Sequence, residues 1–149
     1  GDIWTTYTDC DFLPSFIEDK VSISHKNVLR GLHGDSEIDK LITCLHGSIQ
    51  LAVLDLRKDS KTYGNHAMFE LNDKEGTAIF VPAGCVNGHL CLSDKCIFFY
   101  KWSKVYNGAD NQVTVKWNDP SLNLNWKVKN PILSKRDLEH SVLSQGVYL

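Results

Sequence analysis

Three side chains with acid–base or anion-stabilising chemistry lie in or beside strongly apolar runs of this sequence. His33 lies in VLRGLHG, Lys40 begins the next apolar run, and Tyr100 lies inside CIFFYKW. An imidazole titrates near neutrality and can act as a general base, whereas an ammonium group stabilises a developing anion. Taken singly, each residue also suits a structural position, since a tyrosine in such a strand is usually half-buried. Their function therefore depends on the elements that position them.

Short runs rich in aromatic and β-branched residues, separated by turn residues, predict an all-β sandwich or barrel. The predicted strands are residues 40–44, 48–56, 66–71, 77–81, 96–102 and 113–117. Only residues 134–143 suit a short helix, with Ser134 as its N-cap and Asp137 in its first turn.

The bulk properties predict one globular domain over residues 1–149. Hydrophobic residues make up 42% and charged residues 23% of the chain, as in an ordinary soluble domain. The formal net charge of −2 gives no electrostatic reason to expect nucleic acid or a membrane as partner. No apolar run is long enough to cross a bilayer, and no charged-then-apolar leader begins the chain.

The cysteines predict a reducing compartment. Their number is odd and no CxxC pair is present, which favours free thiols in the cytoplasm over a disulfide framework. Cys44 lies in an apolar run and is expected to be a small core residue. The five are Cys10, Cys44, Cys85, Cys91 and Cys96.

Six blocks occur in one consistent order along the chain. They are VLRGLH (28–33), KLITCLHGSIQLAVLDLRKDSKTYG (40–64), VPAG (81–84), YKWSKVYN (100–107), WNDPSLNLNW (117–126) and PILSKRD (131–137). With these blocks the chain resembles the dTDP-4-dehydrorhamnose 3,5-epimerase family over residues 21–138. The resemblance implies a cupin-type jelly-roll barrel, no cofactor, and a homodimer that exchanges N-terminal segments (residues 1–20).

The resemblance also implies roles for individual residues. The family removes and returns protons beside the C4 ketone of a nucleotide-linked 4-keto-6-deoxy sugar. By position, the four residues that match its reacting groups are the base His33, its carboxylate Asp137, Lys40 near the sugar carbonyl, and the acid Tyr100. Those that match its substrate-binding residues are Arg30 and Arg136 at the diphosphate, and Tyr106 near the nucleotide and sugar.

These roles are chemically consistent. A carboxylate on one ring nitrogen of His33 fixes the tautomer and stabilises the imidazolium once the proton arrives. Lys40 is suited to stabilise the enolate, and inversion needs a proton donor such as Tyr100 on the opposite face. Arginine side chains match phosphate oxygens bidentately.

The block after Val81 departs from the family pattern P-x-G-x-x-H-G-F. Asn87 replaces its histidine, and a histidine, His89, replaces its aromatic residue. An amide at position 87 can donate a hydrogen bond to a sugar oxygen but cannot titrate. We expect His89 to be a packing or surface residue that points away from the site, because adjacent strand positions alternate faces.

Two segments near the expected ligand also differ. The loop of residues 34–39 is shorter than in the family, and the N-terminal segment lacks the family's R-G-x-F-x-E. Trp4 is still suited to stack on a nucleotide base. An aromatic N-terminal segment is costly to expose, so we expect it to cross into a second copy; its aromatic residues are Trp4, Tyr7, Phe12 and Phe16.

The sequence does not favour a metal site. Metal cupins carry two histidines one residue apart and a later histidine, but here Gly34 and Asp35 follow His33 and the later position is Asn87. The remaining histidines show no ligand spacing and are expected at the surface or in turns; they are His25, His46, His66 and His140.

Two other functions fit the same residues. An isomerase that moves the ketone between neighbouring carbons would pass through the same enolate. A non-catalytic sugar-nucleotide-binding cupin is favoured by Asn87. Because the base and its carboxylate are both present, the preferred interpretation is an epimerase at C3, C5 or both, in deoxysugar or surface polysaccharide biosynthesis.

Overall fold

The computed structural model describes residues 1–139 and 146–149, and this part of the chain is almost entirely β. Its strands are β1 (Glu18–His25), β2 (Leu29–Gly34), β3 (Lys40–His46), β4 (Ser48–Asp55), β5 (His66–Asn72), β6 (Ala78–Val81), β7 (Cys85–Cys91), β8 (Lys95–Trp102) and β9 (Val113–Thr114). A 3-10 turn covers Ala109–Asn111, and the helix α1 covers Lys135–Leu138. The all-β prediction is confirmed.

The strands form two antiparallel sheets. One has the order β1-β8-β3-β6 and the other β5-β4-β7-β2-β9. Successive residues of β4 point to opposite faces, so that Leu51 joins a core shared with Ile42 and Phe98 of the first sheet, whereas Leu54 faces the other way. That second face is covered by the segment after β9, including Trp126. The central strands β4 and β7 of the five-stranded sheet are therefore buried on both faces.

Five of the six predicted strands are present within two residues of their predicted bounds, at β3, β4, β5, β6 and β8. The sixth, at residues 113–117, shortens to Val113–Thr114. Val115 still exchanges backbone hydrogen bonds with Leu32, but the chain then enters a turn closed by the bond from Asp119 N–H to the Lys116 carbonyl.

Three of the observed strands, β1, β2 and β7, escaped the sequence analysis. In β1, Val21 and Ile23 alternate with serines, and this period of two could have identified the strand. β7 contains the dipeptide Asn87-Gly88, which usually marks a turn. Here the glycine allows β7 to lie close to β2, because a Cβ at Gly88 would lie 2.8 Å from the carbonyl oxygen of Arg30.

The predicted helix is present in part. Ser134 is the N-cap of α1, its side chain accepts the Asp137 N–H, and Asp137 lies in the first turn. The last predicted residues, with His140, lie outside the described residues. No helix in residues 1–139 or 146–149 is long and apolar enough to span a membrane.

Gly31 lets β2 approach β7 closely. Its φ is +103°, and a Cβ there would lie 2.6 Å from both the Asn87 carbonyl oxygen and the Gly88 Cα. These are backbone atoms, which cannot move aside as a flexible side chain would. A glycine at position 31 is therefore required to hold the strands that carry His33 and Asn87 side by side.

Replacing Gly31 by alanine is expected to destabilise the protein far more than the same change at Gly64. Both glycines have positive φ, but nothing lies within 4 Å of a Cβ at Gly64. We expect a loss in unfolding free energy of about 1 kcal/mol for Gly64→Ala and at least about 3 kcal/mol for Gly31→Ala. Urea unfolding measures both, and equal losses would contradict the close approach.

Candidate active site

A cavity of about 540 Å³ opens between β1 and β8 of one sheet and β2 and β7 of the other, with α1 at its edge. Its lining mixes aromatic, cationic and acid–base side chains. The lining residues are Lys20, Val21, Ser22, Ile23, Arg30, His33, Lys40, Asn87, His89, Phe98, Tyr100, Trp102, Tyr106, Gln112, Ser134, Arg136 and Asp137.

His33 and Asp137 form a direct hydrogen bond inside this cavity, with Nε2 2.6 Å from Oδ1. Oδ1 also accepts the Gly31 N–H at 3.2 Å, and Oδ2 accepts the Ser134 hydroxyl at 2.6 Å. The carboxylate is 1% exposed and is held by partners on both oxygens. Since Nε2–H donates to the carboxylate, Nδ1 carries the lone pair of the neutral ring. The predicted contact between residues 33 and 137 is present.

The surroundings hold this pair as a neutral imidazole beside a carboxylate. Burial lowers the pKa of His33 below its usual 6.5; Asp137 opposes this, while Arg136 and Lys40 add to it. Burial acts to raise the pKa of Asp137, but hydrogen bonds from His33 and Ser134 outweigh it and the pKa lies below its usual value. At neutral pH, Nδ1 is therefore free to accept a proton.

Lys40 is the buried cation of the site. Its Nζ donates to Asn87 Oδ1 at 3.0 Å and to the His33 carbonyl at 3.3 Å. Burial lowers the pKa of Lys40 to about 8, although Asp35 acts in the opposite direction. Because the oxygen of the Asn87 amide accepts from Lys40, its Nδ2 is the group left to donate. The strands thus bring a lysine and an amide donor together beside the His33 imidazole.

A continuous series of ring contacts runs from His89 on β7 along β8 of the four-stranded sheet. His89 stacks on Phe98 with ring centroids 3.9 Å apart, and Phe98 lies 4.9 Å from Tyr100. Trp102 follows at 5.6 Å from Tyr100 and 5.3 Å from Tyr106. Burial raises the pKa of Tyr100, so its phenol is protonated at neutral pH and can donate a proton.

Two guanidinium groups lie at the cavity. Arg30 Nε donates to Ser24 Oγ at 3.1 Å. Arg136 donates from Nε to Thr114 Oγ1 at 3.3 Å and from Nη2 to Gln112 Oε1 at 3.2 Å. These bonds orient both planar groups, whose geometry suits phosphate oxygens.

The structure brings together nearly all the predicted site residues, which lie far apart in sequence. Those lining the one cavity are His33, Asp137, Tyr100, Lys40, Arg30, Asn87, Tyr106 and Arg136. Trp4 does not line it in its own chain: it is 39% exposed and packs against Gly76. Stacking of Trp4 on a base in a neighbouring copy stays a prediction.

The expectation that His89 points away from the site is wrong. Positions 87 and 89 are two residues apart and therefore share one face of β7, so both side chains line the cavity. The packing part of the expectation holds, since His89 is 4% exposed and stacks on Phe98.

Lys20 is a cavity residue that the sequence analysis missed. Its Nζ lies 2.8 Å from Glu18 Oε1, 4.5 Å from the ring centroid of Tyr106 and 4.9 Å from that of Trp102. The period-two alternation of β1 would have placed it on the inner face.

The exposed histidines and the cysteines agree with the sequence analysis. His25, His46 and His66 are exposed, as expected, and all five cysteines are free thiols. Among residues 1–139 and 146–149, no group of three His, Cys, Asp or Glu side chains is arranged to hold a metal ion.

Comparison with known proteins gives consistent matches. The family model described as dTDP-4-dehydrorhamnose 3,5-epimerase matches residues 4–145. The chain is 36% identical over 140 residues to the dTDP-4-dehydrorhamnose 3,5-epimerase of Methanothermobacter thermautotrophicus, covering 90% of this chain and 75% of the relative.

Solved structures show the same likeness. The dTDP-4-dehydrorhamnose 3,5-epimerase of Elizabethkingia anophelis superposes with a TM-score of 0.84 at 34% identity, covering 89% of this chain and 75% of that one. A dTDP-6-deoxy-D-glucose-3,5-epimerase of Legionella pneumophila, in complex with dTDP-4-keto-L-rhamnose, also gives 0.84, at 28% identity over 90% and 72% of the two chains. These matches confirm the prediction of a cupin-type jelly roll.

Proposed function

This chain belongs to the dTDP-4-dehydrorhamnose 3,5-epimerase family, and from that premise we propose how its own residues carry out the reaction. It is an isomerase of the epimerase type that acts on nucleotide-linked keto sugars in deoxysugar biosynthesis. The proposed substrate is a nucleotide-diphosphate 4-keto-6-deoxy sugar, with inversion at C3, C5 or both and no cofactor.

In the proposed first step, Nδ1 of His33 removes a proton from a carbon beside the C4 ketone. The C–H electron pair moves into a carbon–carbon double bond, and the ketone oxygen becomes an enolate oxygen. Lys40 donates to that oxygen, and Asp137 stabilises the imidazolium. The buried hydrogen bond between His33 and Asp137 is the single observation that carries this proposal.

In the second step, Tyr100 returns a proton to the opposite face of the same carbon. His33 lies on β2 of the five-stranded sheet, whereas Tyr100 lies on β8 of the facing sheet. A base and an acid on opposite walls are what inversion requires, since exchange from one side alone would restore the original configuration. The ketone is re-formed as the carbon is protonated.

Arg30 and Arg136 are proposed to bind the diphosphate. Tyr106 is proposed to lie beside the nucleotide and sugar, and the Nδ2 of Asn87 to donate to a sugar oxygen. Charge-assisted bonds from two planar guanidinium groups suit the four outer oxygens of a diphosphate. We also propose a cytoplasmic location, which the five free thiols support.

The test is incubation in D₂O with dTDP-, GDP- and CDP-linked 4-keto-6-deoxyhexoses, followed by proton NMR. We expect deuterium at C3, C5 or both, an inverted centre, and the ketone still at C4. A ketone at a neighbouring carbon would identify a keto-isomerase instead. Binding without deuterium incorporation for any of the three would identify a sugar-nucleotide-binding protein.

The pH dependence of kcat/KM is expected to be bell-shaped. His33 acts in its neutral form, so activity falls as the pH drops through its pKa, which lies below 6.5 because of burial. Lys40 acts as an ammonium, so activity falls again as the pH rises through about 8. In Lys40→Arg the alkaline limb should move beyond pH 10, and an unchanged alkaline limb would remove Lys40 from this role.

A homodimer is proposed, formed by exchange of the N-terminal segment. The segment exposes large apolar side chains at Ile3, Phe12 and Ile17, and β1 is an edge strand with Val21 and Ile23 exposed. Exposed apolar edges of this kind favour pairing with another chain. Light scattering at micromolar concentration should give twice the chain mass, and a monomer would contradict the exchange.

A further inference from the structure

His89 is a buried polar side chain on the cavity wall that the mechanism above leaves unused. It is 4% exposed, and its ring lies parallel to that of Phe98, at 5° and 3.9 Å between centroids. In the described part of the chain its Nε2 has no hydrogen-bond partner. A buried polar atom without a partner destabilises the folded state. A phenyl ring would keep the stack on Phe98 without that cost, so the imidazole calls for a functional explanation.

The hydrogen-bonding capacity of His89 is well defined. Burial lowers its pKa to about 3, with Arg30 and His33 acting in the same direction and Asp137 in the opposite one. The ring is therefore neutral at any pH where the protein is folded and active, and it offers one N–H donor and one acceptor nitrogen. A half-turn about the Cβ–Cγ bond changes which nitrogen faces a ligand while keeping the stack. A hydroxyl group, which also both donates and accepts, is its natural partner.

The pairing of β2 with β7 places His89 along the cavity. Arg30 is opposite His89, and His33 is opposite Asn87. The two β7 positions are about 6.6 Å apart, comparable to the width of a pyranose ring. If Arg30 binds the diphosphate and His33 faces the carbons beside the ketone, His89 lies at the anomeric end of the sugar. The C2 substituent is the first one beyond the glycosidic phosphate.

We propose that His89 is a specificity-determining residue that hydrogen-bonds the C2 hydroxyl of the sugar and so selects 2-hydroxy over 2-deoxy keto sugars. The inference rests on the proposed function, since that function sets the direction in which the substrate lies. It adds to that function the residue that recognises the C2 position of the sugar.

The test compares two substrates in two proteins. The substrates are dTDP-4-keto-6-deoxyglucose and its 2-deoxy counterpart, and the proteins are the wild type and His89→Phe. For solvent deuterium incorporation, we expect the wild type to prefer the 2-hydroxy sugar in kcat/KM by about 10- to 100-fold. In His89→Phe, kcat/KM for the 2-hydroxy sugar should fall by this factor. For the 2-deoxy sugar, kcat/KM should change by less than about twofold.

The control for folding is thermal unfolding, in which His89→Phe should melt at or above the wild-type temperature because the unpaired nitrogen is gone. A preference that is unchanged in His89→Phe, or absent from the wild type, would overturn the inference while leaving the epimerase intact. If the wild type incorporates no deuterium from either sugar, the proposed function itself fails. Calorimetric affinities of the two sugars for both proteins then still decide whether His89 recognises the C2 hydroxyl.

Discussion

Replacing His33 by asparagine is expected to reduce deuterium incorporation into the keto sugar by on the order of 10³-fold or more. The amide has no nitrogen that takes up a proton at neutral pH, so the step that generates the enolate loses its base. The cavity keeps its polarity, and Arg30 and Arg136 are untouched. The affinity for the sugar nucleotide, measured by calorimetry, should therefore stay within a few-fold of the wild type.

The matched control is His46→Asn. His46 also faces a carboxylate, with Nδ1 3.5 Å from Asp73 Oδ2, but the two side chains are 56% and 29% exposed and lie outside the cavity. The control should leave both exchange and affinity unchanged. Near-normal exchange in His33→Asn would show that another group removes the proton.

The chemistry depends on contacts between the two sheets. Lys40 begins β3 in the four-stranded sheet, yet its ammonium reaches across to Asn87 on β7 of the five-stranded sheet. The same side chain also bonds the backbone carbonyl of His33. The proposed enolate donor is thus fixed relative to the proposed base by two hydrogen bonds in a buried setting, and it would need little reorganisation when charge develops.

Six of the observed strands and most of the cavity residues were predicted from the sequence, for different reasons. Strands β4 and β8 follow from local runs of apolar residues, which burial in the core requires. The contact between His33 and Asp137 spans 104 residues, and no local pattern carries such a distance. It was predictable only because both residues stand in blocks that resemble a known family.

Outside the blocks that resemble the family, only local sequence patterns were available. They gave a wrong prediction for His89 and none for Lys20. His89 was assigned to the wrong face through the strand period, since two residues along a strand return to the same side. Lys20 was missed because β1 is an edge strand in which Val21 and Ile23 are exposed, whereas Lys20 and Ser22 between them are partly buried.

Asparagine and alanine at position 137 are expected to separate the charge of the carboxylate from its geometry. In Asp137→Asn, the amide oxygen can still accept from Gly31 N–H and from His33 Nε2–H, and its nitrogen can donate to Ser134 Oγ. The imidazole keeps its tautomer but loses the negative charge that stabilises its protonated form. We expect exchange to fall on the order of 10²- to 10³-fold.

Asp137→Ala removes both the charge and the acceptor, so the tautomer and the ring orientation are no longer fixed. Exchange should fall on the order of 10³-fold, and the unpaired Gly31 N–H should destabilise the fold by about 1–3 kcal/mol. The matched control for Asp137→Asn is Asp73→Asn. The Asp73 carboxylate also accepts a backbone N–H, from Gly47, and faces His46 at the surface. It should leave exchange unchanged.

The acid limb of the pH profile distinguishes pairing with His33 from a purely structural role of Asp137, because a structural role would leave that limb at the same pH. The carboxylate raises the pKa of His33 against the effect of burial, so its neutralisation in Asp137→Asn lowers that pKa further. The acid limb of kcat/KM should therefore shift to lower pH while the plateau falls. A reduced plateau with an unmoved acid limb would mean that residue 137 supports the fold and not the base, because an imidazole that titrates independently of its neighbouring charge is not paired with it.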